Sequence, residues 1–100
     1  MAKKPAPPSR SLSLEGDLDV FSIQSQWEKV QPLLTIENGS AEVDLSSVGD
    51  LDLSGLQLLC ALERDLKTKG VQFTVVGAKE EWKARFAPLG VARLFGGGSA

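Results

Sequence analysis

One hundred residues, 42% of them hydrophobic and 24% charged, make one domain that can bury a core but not a large cavity. A formal net charge of −2 offers no basic field to nucleic acid, and no apolar run approaches the ~18–20 residues of a membrane span. The lysines near the N-terminus lead into no apolar stretch and so do not read as a secretory signal; the expectation is a soluble cytoplasmic protein without direct membrane insertion.

Residues 1–10 (Met1 to Arg10) are basic and rich in proline, with almost nothing to bury, and are expected to form a disordered tail. Ser11 to Glu15 alternates polar with apolar residues, the period of a half-buried strand. Gly16-Asp17 is a two-residue turn signal, and Leu18-Asp19-Val20 alternates again, so the segment reads as a β-hairpin. Ser22 can cap a helix through its hydroxyl. From Ile23, apolar residues recur at Trp27, Val30, Leu33 and Leu34 at helical spacing. Pro32 lacks an N–H and is expected to kink or end that helix. Glu37 to Ser40 reads as a loop.

Ala41 to Leu45 alternates as a second strand region, followed by a polar loop from Ser46 to Asp50. A helix is expected from about Ser54 to Lys69, apolar early in its length (Leu56, Leu58, Leu59, Leu62, Leu66) and charged in its last turns, with Gly70 as its stop. Val71 to Val76 is β-branched and aromatic, a strand. Lys79 to Ala87 reads as a helix with Trp82 and Phe86 on one face. Val91, Leu94 and Phe95 suggest a last apolar turn, and residues 96–100 a flexible end. The order β-β-α-β-α-β-α predicts a small mixed sheet, parallel across the later crossover and antiparallel in the hairpin.

Chemistry is sparse. Cys60 stands alone in an apolar run, so it forms no intrachain disulfide and reads as a small core filler, and the chain has no histidine to activate it. Asp44, Asp50 and Asp52 gather near the end of a strand, where open α/β sheets place their sites. A Mg²⁺ site and paired-carboxylate catalysis are two readings of them. Phosphoacceptor receiver domains use such acids, but the acidic pair after the first strand and the lysine ending a late strand are both missing here. The third reading is structural: Asp52, two residues before Ser54-Gly55, can accept from the free N–H groups of a helix start, and Asp44 can bridge strand to loop. The residues favour this one. No glycine-rich loop of P-loop spacing is present, so neither nucleotide nor other cofactor is expected. Small residues around the turn, and Gln57 in the first helical turn, leave it open to a partner protein.

The stretch from Val43 to Leu59 resembles the signature of the STAS domain, the fold of bacterial anti-sigma-factor antagonists: a strand ending in Asp-x-Ser, then an Asp-Ser/Thr-x-Gly turn opening a helix. Leu14 to Asp19 resembles the family's opening hairpin, Phe73 to Gly77 its last long strand, and Leu89 to Phe95 its closing segment. The likeness covers about Ser11 to Phe95 and implies a single α/β STAS fold over residues 11–95, a small mixed four-stranded sheet with helices against it. It also implies a non-enzymatic regulatory module that binds proteins through Ser46, Ser47, Asp50, Asp52, Leu53, Ser54, Gly55 and Gln57. In regulated members the residue after the turn's aspartate is phosphorylated by a partner anti-sigma kinase; here that position is Leu53, which has no hydroxyl. Ser54, one residue along, is the remaining acceptor, although its hydroxyl suits local capping better. The resemblance leaves three subclasses: a signalling module that partners an anti-sigma kinase of the histidine-kinase type or a chemotaxis or two-component protein; the small cytoplasmic STAS subunit of a lipid-transport ABC transporter, partnering its other subunits; or a scaffold-type STAS protein of stress-signalling complexes, which usually keeps the hydroxyl that Leu53 lacks.

Overall fold

The computed structural model describes residues 8–95. Both expected termini fall largely outside them: residues 1–7 of the N-terminal tail and residues 96–100 of the flexible end. The described elements run β1 (Ser9–Leu18), α1 (Ile23–Val30), β2 (Ser40–Leu51), α2 (Leu53–Thr68), β3 (Gln72–Val76) and α3 (Glu80–Phe86), with 3-10 turns at Gln31–Thr35, Ala87–Leu89 and Ala92–Phe95.

The sheet is three-stranded in the order β1-β2-β3, and both pairings are parallel. The expected hairpin, and with it the fourth strand and the antiparallel pair, is therefore replaced by one continuous strand. Gly16 does take a left-handed φ of 77°, as a turn glycine would. The chain nevertheless keeps going: Glu15 faces Ser47, Gly16 faces Val48 and Leu18 faces Leu51. Leu14 and Leu18 are both wholly buried, which needs them on the same face of one strand. The polar loop expected over Ser46–Asp50 is likewise strand. Between Ser13 and Glu15, and again between Gly16 and Leu18, β2 advances one residue more than β1. These two bulges carry the buried positions from Leu45 to Val48 to Leu51, three residues apart instead of two.

Rows across the sheet separate its faces. Leu12, Val43 and Val75 form one row, and Arg10, Ala41 and Phe73 the next. The alternate rows, Ser9-Ser40-Gln72 and Ser11-Glu42-Thr74, are polar, so the core lies on one side of the sheet. There α2 supplies Leu56, Leu58, Leu59, Leu62 and Leu66, α1 supplies Val30, and α3 supplies Trp82 and Phe86 to one buried cluster.

Helix α1 stops at Val30 and Pro32 heads the 3-10 turn that follows, as its missing N–H requires. Ser22 does not cap α1 through its side chain. Its hydroxyl donates instead to the Asp17 carbonyl at 2.5 Å, with the Asp19 carboxylate 2.9 Å away as the alternative acceptor. The buried Gln26 amide donates to the carbonyls of Glu15 and Asp17 at 2.8 and 3.0 Å, fixing α1 to the end of β1. Gly70, with φ of 72°, closes α2. No described helix is long and apolar enough to cross a membrane.

Candidate functional site

The C-terminal ends of β1 and β2 meet the start of α2, and one carboxylate organises the junction. Asp52 is the N-cap of α2: it is extended, and one of its oxygens accepts the Gly55 N–H at 3.1 Å. Its other oxygen accepts the Val20 N–H at 3.1 Å, and its own N–H donates to the Leu18 carbonyl at 3.1 Å. The cap thus ties α2 to the loop between β1 and α1. Gly55 is buried beneath it. A Cβ there would stand 2.3 Å from the Leu18 carbonyl oxygen and 2.6 Å from the Leu51 side chain. Its small size serves this internal contact.

Leu53 is the first residue of α2, and 51% of it is exposed. Two more exposed apolar residues lie on the loop tied to its neighbour Asp52. Val20 is 58% exposed and Phe21 94%, and both sit on the loop held by Asp52. Asp19 fixes that loop from the other side: its carboxylate accepts the N–H groups of Phe21 and Ser22, each at 3.0 Å. Two residues beyond Phe21, and one helical turn below Ser54, an open groove of about 310 Å³ is lined by Ile23, Gln24, Trp27, Leu58 and Ala61. Sequence reasoning missed Val20 and Phe21. Val20 fitted a strand alternation, and Phe21 lies two residues from Ile23, where an apolar residue reads as core.

The other expected site residues spread along the same rim. Ser54 is half-buried and Gln57 exposed on the first turn of α2. Ser46 and Ser47 are exposed at the first bulge. Asp44 accepts from the Ser46 hydroxyl at 2.6 Å and the Ser46 N–H at 2.9 Å, and these two bonds, the hydroxyl first, hold its carboxyl below the ordinary value. Asp50 is held low by the Leu51 backbone N–H and by Arg85, whose guanidinium lies 3.4 Å away. Arg85 also donates to the Leu51 carbonyl at 2.8 Å, and Lys79 to that of Gly49 at 2.9 Å, so α3 clamps the end of β2. The three aspartates are turned to three different tasks, and among the described residues no group of three or more acids, cysteines or histidines is placed to hold a metal ion. What the geometry places at this end of the sheet is three exposed apolar residues, Val20, Phe21 and Leu53, two of them on a loop whose backbone is hydrogen-bonded to Asp19 and Asp52.

The family model described as "Mlab, STAS domain" matches residues 3–96. No curated protein matches the sequence. Among solved structures, the chain resembles a sulfate transporter family protein from Wolinella succinogenes, at 14% identity and a TM-score of 0.68, with 91% of this chain and 75% of that one covered. It also resembles the STAS domain of a SulP transporter from Vibrio cholerae, at 20% identity and a TM-score of 0.63, covering 92% and 70%. At these identities the two likenesses establish the fold.

Proposed function

The chain belongs to the STAS domain family of the Mlab type, and from that premise we propose that it is a cytoplasmic, non-enzymatic docking subunit of a lipid-transport ABC transporter, held to its partner through the start of α2. STAS domains are protein-interaction modules. The observation that carries the reading is Leu53. At the position where regulated relatives place a phosphorylated hydroxyl, this chain puts a leucine half in solvent, next in sequence to the Asp52 whose carboxylate holds the loop of exposed Val20 and Phe21. An apolar side chain there cannot be switched by phosphate, but it can be buried by a partner that stays bound. The Mlab description of the matching family favours a transporter assembly over an anti-sigma pathway.

The signalling reading, a partner of the histidine-kinase, chemotaxis or two-component type, retains one support: the half-buried Ser54 on the same turn, the nearest hydroxyl to the acceptor position. One experiment separates the two. The tagged full chain is purified from detergent-solubilised membranes and from the soluble fraction of its own host. Recovery of an ABC-type ATPase with its membrane subunits supports the docking subunit. Recovery of soluble kinases alone, with phosphate on Ser54 by mass spectrometry, overturns it in favour of signalling.

A further inference from the structure

We propose that Phe21 is the anchor of the docking surface and that the partner receives it in an apolar pocket edged by lysine or arginine; this rests on the reading that the start of α2 is docked. A phenylalanine left 94% exposed does nothing for the core, yet its backbone is fixed on both sides. Val20 is bonded to Asp52, Phe21 and Ser22 to Asp19, and the Ser22 hydroxyl to the Asp17 carbonyl. Binding therefore has little backbone to immobilise, and an aromatic ring loses only two side-chain torsions when it is seated. A large aromatic on a pre-ordered loop has the make-up of an interface hot spot.

Charge decides what covers it. Asp19 and Asp52 hold the loop itself, and Asp17 stands beside Gly49, where its carboxylate oxygen lies 2.6 Å from the place of a Cβ. Asp50 is the next residue along. Among the described cations at this end, Arg85 is paired with Asp50, so those two charges offset, and Lys79 donates to the Gly49 carbonyl but keeps its charge, which the three acids Asp17, Asp19 and Asp52 outweigh. The rim around Phe21 is acidic, which complements a basic partner, opposes a second copy of the same rim, and opposes an anionic lipid surface.

The test replaces Phe21, Leu53 or Thr74, one at a time, with photoreactive benzoylphenylalanine in the full chain in its host. Adducts are identified by mass spectrometry after irradiation of extracts at low and high salt. The expected result is one and the same protein joined at positions 21 and 53 and none at 74, with the yield falling severalfold at high salt. Added Phe21→Ala chain should compete about tenfold or more weakly than wild type. An adduct at 53 without one at 21 overturns the anchor and leaves the docking reading standing. An adduct at 21 without one at 53 supports the anchor and overturns the role given to Leu53. Adducts at neither overturn both. At position 21, an adduct with a second copy or with lipid, or a yield indifferent to salt, overturns the basic-pocket partner.

Discussion

The Leu18 carbonyl oxygen stands so close to Gly55 that a Cβ there would lie only 2.3 Å from it. The close passage of β1 under the first turn of α2 exists because residue 55 has no side chain. Gly55→Ala must push the helix off the strand or distort both, and is expected to cost about 1–3 kcal/mol, the range for overpacking. A lowered urea midpoint with an unchanged slope is the measurement.

Leu53→Asp separates binding from folding. The side chain is exposed, and an acid in the first turn of a helix suits its dipole. Stability is expected to stay within about 0.5 kcal/mol of wild type. Titration calorimetry against the recovered partner should show a loss of about tenfold or more. Unchanged affinity in a folded Leu53→Asp chain would remove the observation on which the docking surface rests.

Asp52→Ala removes two bonds with one change, the cap on Gly55 and the tie to Val20. About 1 kcal/mol of stability should go with the cap. The amide of Val20 should exchange faster along with that of Gly55, although the two are far apart in sequence. Asp52→Asn, which can still cap, should keep most of the Gly55 protection.

Asp44 has a simple pH signature. Its carboxyl titrates below the ordinary 3.8 because the charged form accepts two bonds from Ser46. A lowered folded-state value contributes stability above the unfolded value and loses it as pH falls through the lowered one. Ser46→Ala removes the larger cause, so carbon-detected NMR should show the Asp44 titration moving up toward 3.8.

Cys60 should be a slow nucleophile. Partial burial first, and the Glu63 charge second, push its thiol up from the ordinary 9.0. At pH 8 a thiol reagent should label it more slowly than a free cysteine, and the difference should vanish in urea.

The helices and the later strands were legible because their patterns are set by local chemistry. Leucines at helical spacing gave α2, the β-branched run gave β3, and Pro32 marked the end of α1. The cap at Asp52 was also readable, since an acid three residues before a buried glycine can do little else as well. The hairpin was not readable from Gly16-Asp17, because a glycine with positive φ serves a bulged strand as readily as a turn. Leu12, Leu14 and Leu18 carry a parity that continues across Gly16, and that was the available signal against reversal. The bulges in β2 hid for the related reason that Ser46 to Asp50 is polar, and only pairing with β1 makes it strand. Phe21 could not be found by pattern at all. Its place is set by backbone hydrogen bonds that two carboxylates accept, Asp19 from Phe21 itself and Asp52, a residue distant in sequence, from the neighbouring Val20.

Because both strand pairs are parallel, residues paired across the sheet are far apart in the chain even though the strands follow one another in order. Ser11 meets Glu42 across 31 positions, and the partners of β2 and β3 are similarly far apart. Among the described residues no local hairpin nucleates the sheet, so loop closure precedes any pairing and folding should be slow for so short a chain. On the ribosome β1 emerges first and waits for β2. The surface around Asp52 joins the end of the one to the sequel of the other, so it comes into being only when that wait is over. A partner that reads this surface therefore tells a finished domain from a nascent one.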